Sequence, residues 1–229
     1  MPPHDDEHSS QPSSHKTPKA VLPAWNWPGA EVLDPLYKIN ECCLRVLKLL
    51  AQGKLSGNSA AEPFARVTVH RDLWLALDER ALRRAAQAPV LLVDIHFQNV
   101  DWYNWAKTHG AKSAKSPNAR AAFPVTRARE LMEMTMMLAW HTARAELPTA
   151  TQILGIGRAV AERIARLDPL DVQRIAKGHF RELKPRWEEN LNFWQTLLLA
   201  ALKDDETSLF DAYQEGTQLL FTDVLPGVR

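Results

Sequence analysis

Leu154 to Ala176 reads LGIGRAVAERIARLDPLDVQRIA. Val160, Ile164 and Leu167 recur at helical spacing before Asp168-Pro169, and Val172, Ile175 and Ala176 recur after it. That pattern predicts two short helices joined by a tight turn at Leu167-Asp168-Pro169. The Asp168 carboxylate can accept from the unbonded N–H groups of the second helix's first turn, and Pro169 occupies a position where no donor is needed. A chain organised around such a pair is expected to be mainly α, a multi-helix protein with at most a short β segment.

Outward from this stretch, apolar residues again fall at helical spacing. Leu36, Ile39, Cys43, Val46, Leu47 and Leu50 mark a helix over 35–52, with Gly53 as its stop. Asp78 is placed to cap a helix from Glu79. A further helix over 126–146 carries Met132, Met134, Met136 and Met137, and Pro148 breaks the chain after it. Gly178 is read as the end of the second focal helix, and Pro185 as the opening of a helix to Lys203 bearing Trp187, Leu191, Trp194, Leu198 and Leu202 on one stripe. A last helix follows Thr207-Ser208. Extended pieces are expected at Arg66 to His70 and over Val90 to Phe97, where Asp94 and His96 would project the same way and face solvent.

A shift of 90 residues lays Leu77-Asp78 on Leu167-Asp168, Leu82 on Val172, Arg84 on Arg174 and Ala86 on Ala176, and brings Leu47 onto Met137. Each half then reaches tryptophans, Trp102 and Trp105 in one, Trp187 and Trp194 in the other. Two diverged copies of one helical unit account for this layout.

Composition sets the class. Of 229 residues, 45% are hydrophobic and 24% charged, which is the balance of a globular protein with a buried core. No apolar run approaches the ~20 residues of a membrane helix, so a cytoplasmic chain with no membrane association is expected. Cys42 and Cys43 are adjacent on a helix, a poor geometry for a disulfide, and read as core residues in a reducing compartment. The expected organisation is a disordered tail over 1–30, an N-terminal helical unit over 31–106, a basic linker over 107–125 and a helical domain over 126–229. Trp25 and Trp27 end the tail and are expected to dock onto the domain or to anchor a partner.

Little in the sequence points to catalysis. It lacks a Cys-x-x-Cys, a His-Glu-x-x-His and a Gly-x-Ser-x-Gly elbow, and Gly155-Ile156-Gly157 has no phosphate-loop context. No enzyme, cofactor or metal site is expected. The candidate contacts to nucleic acid are basic: Lys107, Lys112, Lys115 and Arg120 in the linker, and Arg158, Arg163, Arg166 and Arg174 on the focal helices. Such side chains suit phosphate backbones. A merely solvated charged face is the competing reading, because Glu162, Asp168 and Asp171 lie among them. Met134, Met137, Trp140, Leu154 and Ile156 are the candidate partner or oligomer interface, since methionine-rich helices adapt to varied partners.

Leu154-Gly155-Ile156, Val160-Ala161, Ile164-Ala165, Leu167, Val172 and Ile175-Ala176 resemble the central helices of the flagellar transcriptional regulator FlhD, one half of the FlhD/FlhC master activator. The resemblance runs over roughly residues 129–205. It implies an α-helical, self-associating subunit of a bacterial transcriptional activator, acting with an FlhC-like zinc-binding subunit at promoter DNA. The chain has no cysteine quartet, and so resembles the subunit without zinc. Its long N-terminal extension departs from the family and leaves open whether the genes controlled are flagellar or belong to a mobile element. A different class of function, a protein-interaction or assembly role for the Trp- and Met-bearing faces, fits the same residues.

Overall fold

The structure, a computed structural model, describes residues 29–55, 69–113 and 122–224. Among them the chain is mainly helical: α1 (Ala30–Ala51), α2 (Arg71–Ala76), α3 (Glu79–Ala86), α4 (Val100–Ser113), α5 (Val125–Ala145), α6 (Leu147–Ile153), α7 (Arg158–Ala165), α8 (Pro169–His179), α9 (Leu191–Lys203) and α10 (Glu206–Val224). Two short strands, β1 (Val93–Asp94) and β2 (Lys184–Pro185), pair antiparallel, with Val93 opposite Pro185 and Asp94 opposite Lys184. No described helix is long and apolar enough to cross a membrane.

Among the described residues, most elements of the two halves correspond, α6 and α10 being without a counterpart. Asp78 Oδ1 accepts from Ala81 N at 2.7 Å, and 90 residues later Asp168 Oδ1 accepts from Asp171 N at 2.7 Å. The buried positions of α3, Ala81, Leu82, Ala85 and Ala86, match buried Asp171, Val172, Ile175 and Ala176 in α8. Past the strands the offset is 91. His96 and Trp187 both have left-handed backbones, with φ of 52° and 50°. Asn99 then caps α4 through Trp102 N, as Asn190 caps α9 through Phe193 N. Buried Trp102, Tyr103 and Ala106 correspond to buried Phe193, Trp194 and Leu197.

The first helices obey the same rule at an offset of 92, not the 90 expected from sequence. Leu36, Ile39, Asn40, Cys43, Leu44, Val46, Leu47 and Ala51 fall on Ala128, Leu131, Met132, Thr135, Met136, Leu138, Ala139 and Ala143, every one buried. Leu47 therefore matches Ala139, while Met137 is exposed. The loops between first helix and Asp-capped helix differ in length, so no single shift aligns both.

Packing is reciprocal. α1 lies against α2 and α3, and α5 against α7 and α8, while α1 and α5 meet each other. The fourth helices cross over: α4 packs on α7 and α8, and α9 on α2 and α3. An antiparallel ribbon formed by equivalent strands is what a two-fold axis generates, so one chain has the construction of an exchanged dimer. Residues from both halves share a single hydrophobic core.

Several sequence expectations are corrected. α4 continues to Ser113, so the stretch expected as linker from residue 107 begins as helix. The extended segment over 90–97 shrinks to a two-residue strand because His96 turns the backbone away. Pro185 does not open a helix; it sits in β2, Trp187 lies in the turn after it, and α9 starts only where Asn190 supplies a cap. α8 runs through Gly178 to His179 and tightens into a 3-10 turn over Phe180–Glu182. The expected docking of Trp25 and Trp27 and the extended piece at 66–68 lie outside the described residues.

Candidate functional site

The ribbon and the α4–α8 seam bring the two halves' polar residues together. Glu182 is the hub. Trp102 Nε1 and His96 Nε2 donate to its Oε2 at 2.8 and 3.2 Å, and His179 Nδ1 donates to its Oε1 at 2.8 Å. The Trp102 ring lies between the two imidazoles, with centroids 4.8 Å from His96 and 5.2 Å from His179. Trp105 adds an edge contact to His179 and stacks on His109. Burial pushes the Glu182 carboxyl upward, but hydrogen bonds from His179, His96 and Trp102 outweigh that and hold it well below the ordinary glutamate value. Asp94 and His96 thus do not form a solvent-facing edge. Asp94 Oδ1 accepts from Phe97 N at 3.3 Å, and His96 reaches across to the other half.

Further along the seam, Lys107 Nζ and Arg174 Nη1 each approach an oxygen of buried Asp171 at 2.6 Å. Burial opposes ionisation of Asp171, but Lys107 and Arg174 together lower its pKa. Two of the candidate DNA contacts therefore share one carboxylate, which offsets part of their charge and links α4 to α8. Arg158, with 83% of its side chain exposed and paired with Glu162, and exposed Arg166 remain turned to solvent. Arg163 is half-buried on α7. Lys115 and Arg120 lie outside the described residues, as does the side chain of Lys112.

Among the candidate interface residues, Met137 is exposed and Met134 half-buried, while Trp140 donates from Nε1 to Leu167 O at 2.9 Å and so fastens α5 to the focal turn. Leu154 and Ile156 are corrected: both have 0% exposure and belong to the core. Other exposed apolar side chains are Leu170, Val69, Leu75, Trp105, Val125 and Phe210.

Beside the hub, Asp94, Gln98, Lys184, Arg186, Trp187 and Asp223 line a cleft of about 240 Å³. Arg186 is 4% exposed. In the sequence Arg186 belongs to the basic cluster after α7 and Glu182 to the acids that dilute it; their specific surroundings come in part from the other half of the chain. Among the described residues no group of three or more His, Cys, Asp or Glu side chains is placed to hold a metal ion. No family model, curated protein or solved structure matches the chain.

Proposed function

We propose that this chain is a single-chain form of a two-fold regulator: an FlhD-like subunit of a bacterial transcriptional activator complex, acting in the cytoplasm with an FlhC-like zinc-binding partner at promoter DNA. The observation that carries the reading is the internal duplication. Self-association is what the FlhD resemblance implies, and the antiparallel pairing of equivalent strands with the crossed-over packing of α4 and α9 supports it, since two similar helical halves meet within one polypeptide. Arg158 and Arg166 supply exposed positive charge on and just after α7, suited to phosphate contacts. Met137 and Leu170, on the two helices packed against each other as α5 and α8, supply apolar surface for a partner.

A second reading, an assembly protein that binds another polypeptide without DNA, is favoured by the pairing of Lys107 and Arg174 with Asp171, which leaves less free positive charge than the sequence promised. Salt separates the two. Binding through several phosphates weakens steeply with salt, whereas apolar docking does not.

The test is a pull-down of the tagged chain from its native cell extract, with and without nuclease, followed by anisotropy titration of the recovered complex on promoter DNA at two salt concentrations. Recovery of a cysteine-rich partner, with DNA binding that falls steeply with salt and weakens on Arg158→Ala with Arg166→Ala, supports the activator reading. A partner recovered with no DNA binding at either salt overturns it in favour of assembly.

A further inference from the structure

The cleft beside the ribbon holds a buried cation whose hydrogen-bonding capacity the protein meets only in part. The Arg186 guanidinium is buried, yet its Nη1 has no hydrogen-bond partner, and its nearest carboxylate, Asp94 Oδ1, is 3.8 Å from Nη2. A second carboxylate, Asp223, lines the same cleft and acts on it electrostatically, and two ring faces, Phe97 at 5.5 Å and Trp187 at 5.7 Å from the guanidinium carbon, flank it. A buried charge without close partners is costly. The site around it is built: Trp187 holds a left-handed backbone and anchors its Nε1 on Asp223 Oδ2 at 2.8 Å, and Gly155 leaves the room that Nη1 occupies, since a Cβ there would come within 2.6 Å of it. Strained residues of this kind concentrate at ligand clamps.

The lining decides the chemistry. Lys184, which also approaches Glu188 Oε1 at 3.4 Å, and Arg186 face Asp94 and Asp223, so a phosphate dianion would meet two carboxylates and a simple amine would leave the guanidinium unanswered. A ligand carrying both signs at short separation satisfies all four. The cleft, at about 240 Å³, suits only a small molecule. We infer that it is a binding site for a free α-amino acid, whose carboxylate pairs with Arg186 and Lys184 and whose ammonium pairs with Asp94 and Asp223. Asp94 lies on β1, Lys184 on β2 and Asp223 on α10, so the ligand ties the two halves to the last helix and gives the protein a small-molecule input.

The test uses the full chain with each of the twenty amino acids, and with acetate, methylamine and inorganic phosphate as separate probes, read by thermal shift and then by calorimetric titration. One or a few amino acids should raise Tm saturably, with phosphate inactive and the two half-ligands at least tenfold weaker. Arg186→Gln should abolish binding. Because Arg186 is buried, Asp94→Asn on the accessible side of the cleft is the second variant, expected to weaken binding at least tenfold with an unchanged circular dichroism spectrum. Absence of binding by every amino acid, binding of phosphate alone, or binding that survives both substitutions overturns the proposal.

Discussion

Replacing Glu182 with glutamine keeps the side chain's shape and removes its charge, which isolates what the hub contributes. Three donors converge on this carboxylate, two from α4 and the preceding loop and one from the end of α8. Hydrogen bonds to a charged group contribute about 1.5–3 kcal/mol each. They are not additive, and Glu182 keeps 22% of its side-chain surface in solvent, so screening reduces the total. We expect Glu182→Gln to lose about 3 kcal/mol at neutral pH. The sign with pH follows from the lowered carboxyl. A depressed folded pKa gives stabilisation that is complete above the unfolded glutamate value of about 4.3 and declines as pH falls below it. Urea denaturation of both proteins from pH 7 down to about 3.5 should show the gap narrowing on the acid side. A neutral-pH gap under about 1 kcal/mol, the worth of an exposed ion pair, or a gap that does not change with pH, would refute the assignment of Glu182 as the charged link between the halves.

The duplication makes paired predictions. Asp78→Ala and Asp168→Ala should each cost about 1 kcal/mol, and urea midpoints shifted by similar amounts would check the equivalence of the caps. Asn40→Ala should cost more, about 3 kcal/mol, because its amide donates to the Val90 carbonyl at 2.8 Å and its oxygen accepts from Leu92 N at 2.9 Å, all buried; a loss no larger than that of the exposed caps would refute this. Cutting the chain between residues 113 and 122 should yield halves that fold only together. Co-expression and size-exclusion chromatography should give a one-to-one complex, and a native near-ultraviolet spectrum from either half alone would contradict the exchange of α4 and α9.

What was legible in the sequence was what local chemistry writes. The Asp78 and Asp168 caps, the helix periods and the suspicion of a repeat could be read because each depends on residues within a turn or two. The ribbon could not be read as such, since two-residue strands carry no alternation. Pro185 misled because a proline before a helical pattern normally marks a start, whereas here it completes a strand and the start falls to Asn190. Leu154 and Ile156 looked like surface apolar residues beside a turn and proved to be core. Glu182 and Arg186 read in the sequence only as members of a mixed charged cluster, because partners that define their roles, Trp102 and His96 for one and Asp94 and Phe97 for the other, lie in the opposite half.

The two copies differ most in the polar groups around the ribbon. At the matched left-handed turns one half has His96 and the other Trp187. The equivalent of Arg186 is Ile95, and Glu182 aligns with the run of buried leucines at Leu91 and Leu92. Asn40, which binds the loop after α3, corresponds to Met132. A symmetric dimer of identical subunits must place every polar group twice, on both sides of its axis. Fusion of the copies removes that constraint, so one side of the ribbon holds a histidine-bound carboxylate and the other an under-partnered arginine in a cleft. A duplicated chain selected only for its scaffold would keep apolar residues at both sets of positions, because buried charge destabilises unless something compensates it. The asymmetry therefore sets the ribbon region apart from the helix faces of the proposed function, as the place where the inferred small-molecule ligand would bind.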